Sequence, residues 1–274
     1  MLLTRRSALA AAAALSLMSA GFGGASFAAP VITCAPPASP AATAAAVAAA
    51  SPAALDQVDF PAEGGKLTVF AAASLTEAFQ QIATDLTADN PALEITFNFA
   101  GSQALVTQMK EGARADVFAS ANGTQMNAAK DAGLIEGAAP VFVQNHLAVV
   151  VPAANPAKVD DATDLSASGL KLVLAQPEVP AGKYAREAIC TMGDTAFVEA
   201  VAANVVSEEE DVRDVLAKVE LGEADAGIVY ETDALAGGDK VLSVAMPADA
   251  DPVARYPVAA VKGGNEALAE AFIT

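Results

Sequence analysis

Residues 67–79 read LTVFAAASLTEAF, and this stretch decides the fold. Its first four residues are apolar or β-branched and predict a buried strand. The residues that follow predict an amphipathic helix, because apolar side chains recur there at helical spacing, namely Leu75, Ala78, Phe79, Ile82 and Leu86. A buried strand that leads directly into a helix is typical of α/β proteins.

The same alternation continues along the chain. Further strands are predicted over residues 95–99, 116–119, 147–151, 170–175, 227–230, 241–245 and 258–261, and helices over 104–111, 184–189, 196–203 and 212–221. Such alternation indicates mostly parallel sheets covered by helices on both faces. About 210 folded residues with this many strands suggest two α/β lobes with a cleft between them.

The N-terminus has the features of a secretory signal peptide, which we assign to residues 1–28. Arg5 and Arg6 precede the apolar run 8–20, and the small-x-small sequence at 26–28 resembles a cleavage site. The arginine pair fits both the Sec and the twin-arginine export routes. Retention of residues 8–20 as a membrane anchor is the alternative to cleavage.

Residues 29–65 are rich in Ala, Pro and Ser and predict a linker. The chain has two cysteines, Cys34 in this segment and Cys190 in the folded body. An exported protein can form a disulfide, but two free thiols are equally compatible with the sequence, since the distance between the residues cannot be read from it.

The chain of 274 residues is acidic, with a formal net charge of −18. This charge argues against nucleic acid as a partner, because binding to phosphates requires basic patches. It also means that any site for an anion depends on local groups, since the overall field repels anions.

Two consecutive strand-to-helix turns carry serines, and ligands of parallel α/β sheets bind at such turns. Ser74 lies three residues before Glu77, so it either caps the helix or donates to an anion. In the second turn Gly101 permits close approach of the backbone, and Ser102 offers a hydroxyl at the start of a helix.

The later turns add three candidate donors. One turn contains Ala181, and another contains the Val212 amide after an acidic cluster in which Ser207 and Glu210 match a capping box. Tyr230 ends an apolar strand and is either a core residue or a hydrogen-bond donor. A set of donors without an acceptor suits a fully ionised dianion and disfavours protonated phosphate.

Enzymatic function has little support in the sequence. His146 is the only histidine, and the chain has no G-x-S-x-G elbow, no phosphate-binding G-x-x-x-x-G-K-[ST] loop and no Cys/His cluster for zinc. A triad of Ser74, His146 and Asp116 can be written down, but neither spacing nor turn type supports it. We therefore predict no catalytic residue and no cofactor.

Taken together, several motifs resemble the periplasmic molybdate-binding proteins of ABC transporters. The similarity covers residues 66–274 and is carried by LTVFAAASLTEAF (67–79), FAGS (99–102), ADVFASA (115–121), VPAGKY (179–184), DVR (211–213) and GIVYETD (227–233). The resemblance implies an oxyanion shell of hydroxyls and backbone amides, with no direct metal ligand. By motif the shell falls on Ser74, Ser102, Ala181, Val212 and Tyr230.

The resemblance also implies a two-lobe periplasmic-binding-protein fold that closes around molybdate or tungstate. Lobe 1 is expected at residues 66–145, completed by 256–274, and lobe 2 at 146–255, with crossover strands near 144–151 and 249–259. The implied partner is the membrane permease of an ABC importer, served by a monomer in the periplasm. Relatives usually continue for one more helix after Thr274, which indicates a truncated sequence.

Two other functions stay open at this point. The same fold can bind another oxyanion, such as sulfate. An exported serine hydrolase that uses Ser74 is the alternative from a different class. A sensory effector domain would need a DNA-binding segment, and none is attached.

Overall fold

The computed structural model describes residues 31–34, 60–61 and 63–274. The predicted signal peptide and most of the predicted linker lie outside this part of the chain. Within it the elements follow in the order β1 (Gly65–Ala72), α1 (Thr76–Asp89), β2 (Leu93–Ala100), α2 (Ser102–Lys110), β3 (Val117–Ala119), α3 (Gly123–Asp131), β4 (Val141–Asn145), β5 (Leu147–Pro152), β6 (Leu172–Ala175), α4 (Pro180–Met192), α5 (Thr195–Asn204), β7 (Val205–Glu209), α6 (Val212–Glu220), β8 (Ala226–Tyr230), α7 (Glu231–Gly237), β9 (Val241–Ala245), β10 (Ala254–Ala260) and α8 (Glu266–Ile273). Short 3-10 helices lie at Ala73–Leu75, Ala162–Ser166 and Gly238–Lys240.

The strands form two five-stranded sheets. The first has the order β2-β1-β3-β10-β4, and the second has the order β7-β6-β8-β5-β9. We call each sheet with its helices a lobe. The first sheet takes strands from residues 65–145 and 254–260, and the second takes its strands from residues 147–245. The predicted two-lobe α/β architecture is confirmed, whereas the predicted residue limits of the lobes stay predictions.

Both sheets are mixed, so the prediction of mostly parallel sheets is wrong. In the first sheet β1 pairs parallel with β2 and β3, but β10 pairs antiparallel with β3 and β4. In the second sheet β6 pairs parallel with β7 and β8, but β5 pairs antiparallel with β8 and β9. The antiparallel strands β5 and β10 are those by which the chain enters a sheet from the other lobe.

Helix α6 shows how sequence pattern and burial agree in the second lobe. Its apolar residues recur at positions i, i+3, i+4 and i+7, and all four are buried, namely Val212, Val215, Leu216 and Val219. This stripe lies against β5, β6 and β8 of the second sheet, which are themselves almost completely buried. Packing of the stripe fixes the start of α6, and therefore the turn before it, at the edge of the cleft between the lobes.

The two crossovers between the lobes lie side by side. One passes from β4 to β5 through His146, and the other runs from β9 to β10. Asp251 of the second crossover binds the first: one carboxylate oxygen lies 2.5 Å from His146 Nδ1, and the other accepts from the Leu147 amide at 3.0 Å. These contacts join the two chain segments that connect the lobes.

Parts of the predicted linker belong to the folded body. Ile32 and Phe60 are buried in its apolar core. Cys34 forms a disulfide with Cys190 of α4, with 5.5 Å between the two Cα atoms, which answers the question that the sequence left open. Among the described residues, no helix has the length and apolar character needed to cross a membrane.

Candidate binding cleft

A small cavity lies between the lobes where several helices begin. It encloses about 200 Å³ of non-protein space, including its open mouth. The part of this space that a water-sized sphere can enter is about 10 Å³. A cavity of roughly this size holds one water, and pockets for drug-sized ligands have ~300–1,000 Å³, so only a ligand of a few atoms fits. It is lined by Ala72, Ala73, Ser74, Ala100, Gly101, Ser102, Ala121, Val179, Pro180, Ala181, Asp211, Val212 and Tyr230. All five residues of the predicted oxyanion shell are therefore brought together at one place.

Ser74 lies in the 3-10 helix that joins β1 to α1, and it does not cap a helix. Helix α1 begins only at Thr76, and its first turn receives no side-chain cap. The Ser74 hydroxyl instead lies 2.9 Å from the hydroxyl of Tyr256. The predicted capping box with Glu77 is thus wrong, because the 3-10 turn displaces the serine from the capping position.

Ser102 is the first residue of α2 and is almost fully buried. Its hydroxyl oxygen accepts a hydrogen bond from the Ala121 amide at 3.0 Å. The preceding Gly101 is required for closure, since a Cβ there would lie 2.6 Å from the backbone oxygen of Glu210 in the other lobe. The glycine therefore lets the two lobes meet beside the serine.

The second lobe contributes backbone amides from two helix starts. Ala181 is the second residue of α4, after Pro180, and Val212 is the first residue of α6. The side chain of Asp211 caps α6 by accepting from the amides of Arg213 and Asp214 at 2.7 and 3.1 Å. The first amides of a helix have no intrahelical acceptor, so the amides of Ala181 and Val212 are the ones left to face the cavity.

The predicted capping box of Ser207 and Glu210 is also wrong. Ser207 belongs to β7, and its hydroxyl contacts the Glu209 carboxylate at 2.5 Å. The cap of α6 is Asp211, one residue before the helix. Because sequence offers several acids in a row here, only the observed start of the helix identifies the one that caps it.

Tyr230 ends β8 with its ring 1% exposed. Its hydroxyl is buried and has no partner of hydrogen-bond geometry within the described protein. Burial, together with the nearby Tyr256, raises the pKa of Tyr230 well above its ordinary value, so the phenol keeps its proton. The group is thus an unused donor at the wall of the cavity.

Next to the cavity, Arg213 lies between two carboxylates from different lobes. Its Nε is 2.8 Å from Oδ1 of Asp233 in the second lobe, and its Nη2 pairs with Glu77 in the first lobe. Burial raises the pKa of Asp233 to about 7, although the charge of Arg213 and a bond from the Tyr230 amide act in the opposite direction. Sequence reasoning treated none of these three residues as functional.

Three further hydrogen bonds hold the lobes together around the cavity. Gln103 donates to the backbone oxygen of Glu210 at 2.8 Å, and Gln125 donates to that of Glu178 at 3.1 Å. Lys183 in α4 donates to the hydroxyl of Thr124 in α3, also at 3.1 Å. The structure therefore represents the closed arrangement of the lobes.

The triad of Ser74, His146 and Asp116 does not assemble. Ser74 bonds Tyr256, and His146 bonds Asp251. Asp116 accepts from the backbone amides of Thr68 and Asn265 at 2.6 and 2.7 Å. Each member has another partner, so the arrangement gives the serine no general base.

The lining groups can bind an anion but have little other chemistry. The lining includes three hydroxyls and the amides of two helix starts, and it includes no Lys, Arg or His side chain. Its one carboxylate, Asp211, is occupied in capping α6. Among the described residues, no cluster of three or more His, Cys, Asp or Glu side chains can hold a metal ion. Aligned amides and hydroxyls without an acceptor favour a small, fully ionised anion.

An α/β protein with two lobes, two crossovers and a small cavity at helix starts between the lobes is a binding protein of the two-lobe type. The chain belongs to the family of bacterial extracellular solute-binding proteins, whose model matches residues 67–274. The predicted family resemblance is thereby confirmed.

Relatives of known name are similar over most of the chain. The molybdate-binding protein ModA of Mycobacterium tuberculosis H37Rv is 43% identical over 215 residues, which cover 78% of this chain and 80% of that protein. ModA of Escherichia coli K12 is 40% identical over 220 residues, covering 77% and 83%.

Solved structures share the fold at lower identity. The periplasmic molybdate-binding protein of Azotobacter vinelandii has a TM-score of 0.65 at 21% identity and covers 76% of this chain and 90% of its own. The sulfate-binding protein SubI of M. tuberculosis has a TM-score of 0.65 at 19% identity, covering 76% and 79%. At these identities the similarity establishes the two-lobe fold alone.

Proposed function

We propose that this protein captures molybdate between its lobes and delivers it to an ABC importer. The observation that carries the proposal is the convergence of Ser74, Ser102 and Tyr230 with the amides of Ala181 and Val212 on one cavity. Relatives named as molybdate-binding proteins, at 40–43% identity, support the same ligand. Tungstate belongs to the proposal as a second ligand, because it has the same shape and charge as molybdate.

The donor set explains how an acidic protein holds an anion. The chain carries a net charge of −18, yet the cavity wall presents hydroxyls and amides from both lobes. Buried hydrogen bonds to a charged group contribute more than neutral ones, about 1.5–3 kcal/mol each. Several such bonds in a closed cavity outweigh repulsion from surface carboxylates, since water and salt screen those charges.

The two-lobe arrangement supports the proposed delivery to a transporter. Ser74 and Ser102 belong to the first lobe, whereas Ala181, Val212 and Tyr230 belong to the second. A bound anion therefore stabilises the closed arrangement, which a permease can distinguish from the open one. We propose that the protein acts as a monomer outside the cytoplasmic membrane and carries no cofactor.

Isothermal titration calorimetry tests the ligand. Molybdate and tungstate should bind with one site per chain, while sulfate at the same concentration should bind far more weakly and phosphate more weakly still. In a thermal-shift assay, ligand at a hundredfold excess over its dissociation constant should add about 2.7 kcal/mol of stability. Absence of binding by both molybdate and tungstate would refute the proposal.

Sulfate binding is the second candidate function. A sulfate-binding protein of Synechococcus elongatus is 26% identical over 236 residues, and the fold is shared with SubI. Sulfate also fits a set of donors without acceptors, so the discrimination depends on the size of the cavity. Tight binding of sulfate with weak binding of molybdate would select this alternative.

A further inference from the structure

Tyr256 is a buried tyrosine next to the binding cleft, where its hydroxyl contacts Ser74 and its ring packs edge-on against Tyr230 with 5.7 Å between the ring centroids. It lies on β10, the strand that returns from the second lobe, and its side chain is 1% exposed. Its hydroxyl is 2.9 Å from the hydroxyl of Ser74, a residue 182 positions away in sequence. Ser74 lines the cavity between the lobes, whereas Tyr256 does not.

The direction of this hydrogen bond follows from the chemistry of the ligand proposed above. A fully ionised oxyanion only accepts hydrogen bonds, so Ser74 has to donate its single proton to it. The oxygen of Ser74 is then left as an acceptor, and Tyr256 has to be its donor. Burial raises the pKa of Tyr256 above its ordinary value, which keeps this proton on the phenol.

Ser102 has the same arrangement with a different partner. Its oxygen accepts from the Ala121 amide at 3.0 Å, and a backbone amide can only donate. The hydroxyl oxygens of Ser74 and Ser102 thus each accept a hydrogen bond from another group of the protein, Tyr256 and the Ala121 amide respectively. Their own protons are directed away from that donor and toward the cavity.

We propose that Tyr256 is a positioning residue for the oxyanion site, which holds the Ser74 hydroxyl in the donating orientation. The inference rests on the proposed function and deepens it, since it explains how the site distinguishes ionised from protonated anions. Monohydrogen phosphate carries a proton that needs an acceptor, and a serine held as a donor offers none. Without Tyr256, Ser74 is free to rotate and to accept that proton.

A double-mutant cycle measures the coupling between the two residues. Tyr256→Phe removes the hydroxyl and keeps the ring, and we expect about tenfold weaker binding of molybdate by calorimetry. In a Ser74→Ala background the same substitution should change the affinity by less than about twofold, because no hydroxyl remains to be oriented. Equal losses in both backgrounds would overturn the inference.

Anion selectivity gives a readout that a general structural effect would not move. Sulfate and phosphate are compared as competitors of molybdate at millimolar concentration and pH 8. Tyr256→Phe should weaken the binding of sulfate about as much as the binding of molybdate. The binding of phosphate should stay unchanged or become stronger, so the preference for sulfate over phosphate should fall several-fold. An unchanged preference would argue against an oriented Ser74.

Tyr184 supplies the matched control. It is the third tyrosine of the chain, it is partly buried, and it does not line the cavity. Tyr184→Phe should leave the affinity for molybdate and the anion preference unchanged. If Tyr184→Phe lost as much affinity for molybdate as Tyr256→Phe, the loss would not depend on the contact with Ser74. That result would also refute a specific role of Tyr256.

Neutron diffraction of the deuterated wild-type complex tests the same point without a substitution. The deuterium of Tyr256 should point at Ser74, and that of Ser74 should point at the anion. The reverse orientation would overturn the inference even if Tyr256→Phe failed to fold. If the wild-type protein binds none of molybdate, tungstate and sulfate, the proposed function is refuted, and this inference is refuted with it. If the wild-type protein binds molybdate and Tyr256→Phe binds it with the same affinity, only this inference is refuted.

Discussion

Tyr230 combines two properties that are costly together in a protein interior. Its ring is buried, and its hydroxyl has no hydrogen-bond partner of suitable geometry in the described protein. An unsatisfied buried hydroxyl costs about 1–3 kcal/mol. Such a cost is expected at a binding site, where the ligand supplies the missing acceptor.

Substitution of Tyr230 by Phe should therefore act in opposite directions on stability and on binding. Without ligand, the unfolding midpoint should stay the same or rise, because an unsatisfied group is removed. The affinity for molybdate should fall about tenfold or more, since a donor to a charged ligand is lost. Thermal unfolding with and without molybdate measures both effects, and a destabilised variant with normal affinity would assign Tyr230 to the core instead.

Asp233 should make the stability of the protein depend on pH. Burial raises its pKa in the folded protein to about 7, from an ordinary value of 3.8. Between about pH 4 and pH 7 the folded state keeps a proton that the unfolded chain has lost, so this group destabilises the fold progressively as the pH rises through that range. Above pH 7 both states are ionised and the effect is constant.

The Asp233→Asn variant tests this linkage because its side chain does not titrate. The stability of the variant minus that of the wild type should increase from pH 5 to pH 8, by a few kcal/mol at most. Urea unfolding at both pH values gives the difference, and comparison with the variant cancels the other carboxylates. A difference that shrinks toward pH 8 would mean that Arg213 dominates over burial at Asp233.

At the scale of elements, the sequence predicted most strands and helices but not their partners. Apolar periodicity located β1, β2, α2 and α6 because a buried stripe leaves a local signal. Strand β4 was missed because it lies at the edge of its sheet, where Val141, Phe142 and Val143 are exposed and give no alternation of apolar and polar residues. Strand β7 and the helices α3, α7 and α8 were missed as well; α3 is as long as α2 but buries only Met126 and Ala129, so its apolar stripe is weak.

The candidate site shows the same division between local and long-range information. Ser74 and Ser102 could be selected because a strand, small residues and a helix follow one another in sequence. Tyr256 could not be selected, since its contact with Ser74 spans 182 residues and depends on the return of β10 into the first sheet. Sequence patterns thus indicate which groups lie at a turn between a strand and a helix, but only the fold determines which buried groups contact them.

The disulfide links an N-terminal segment to α4 and should contribute to stability. Cys34 and Cys190 are 156 positions apart, and closing so long a loop in the unfolded chain should stabilise the fold by about 2–5 kcal/mol. A Cys34→Ser/Cys190→Ser variant should unfold at lower guanidinium concentration than the oxidised wild type. Reductant should lower the unfolding midpoint of the wild type and leave that of the variant unchanged. Identical unfolding midpoints for all samples would show that the disulfide adds no stability.

At the scale of the whole molecule, the lobes meet through polar contacts around the cleft. One of them is the ion pair between Glu77 of α1 and Arg213 of α6, which directly follows Val212. Glu77 is 58% exposed, so the pair contributes little to overall stability. Because it connects the lobes, we expect it to exist only in the closed arrangement and to favour closure there.

The Glu77→Gln variant should release molybdate faster and bind it about two- to fivefold more weakly. Removal of a negative charge near an anion would by itself strengthen binding, so a weaker affinity is opposite in sign to the simple charge effect. Glu94→Gln is the matched control, since Glu94 pairs with Lys66 within the first lobe at 3.0 Å and its loss should leave release unchanged. The release rate of molybdate is measured by stopped flow at low and at high salt. The difference in release rate between Glu77→Gln and wild type should disappear at 1 M salt, where the Debye length is about 3 Å. An unaltered release rate of the variant at low salt would show that closure does not depend on this ion pair.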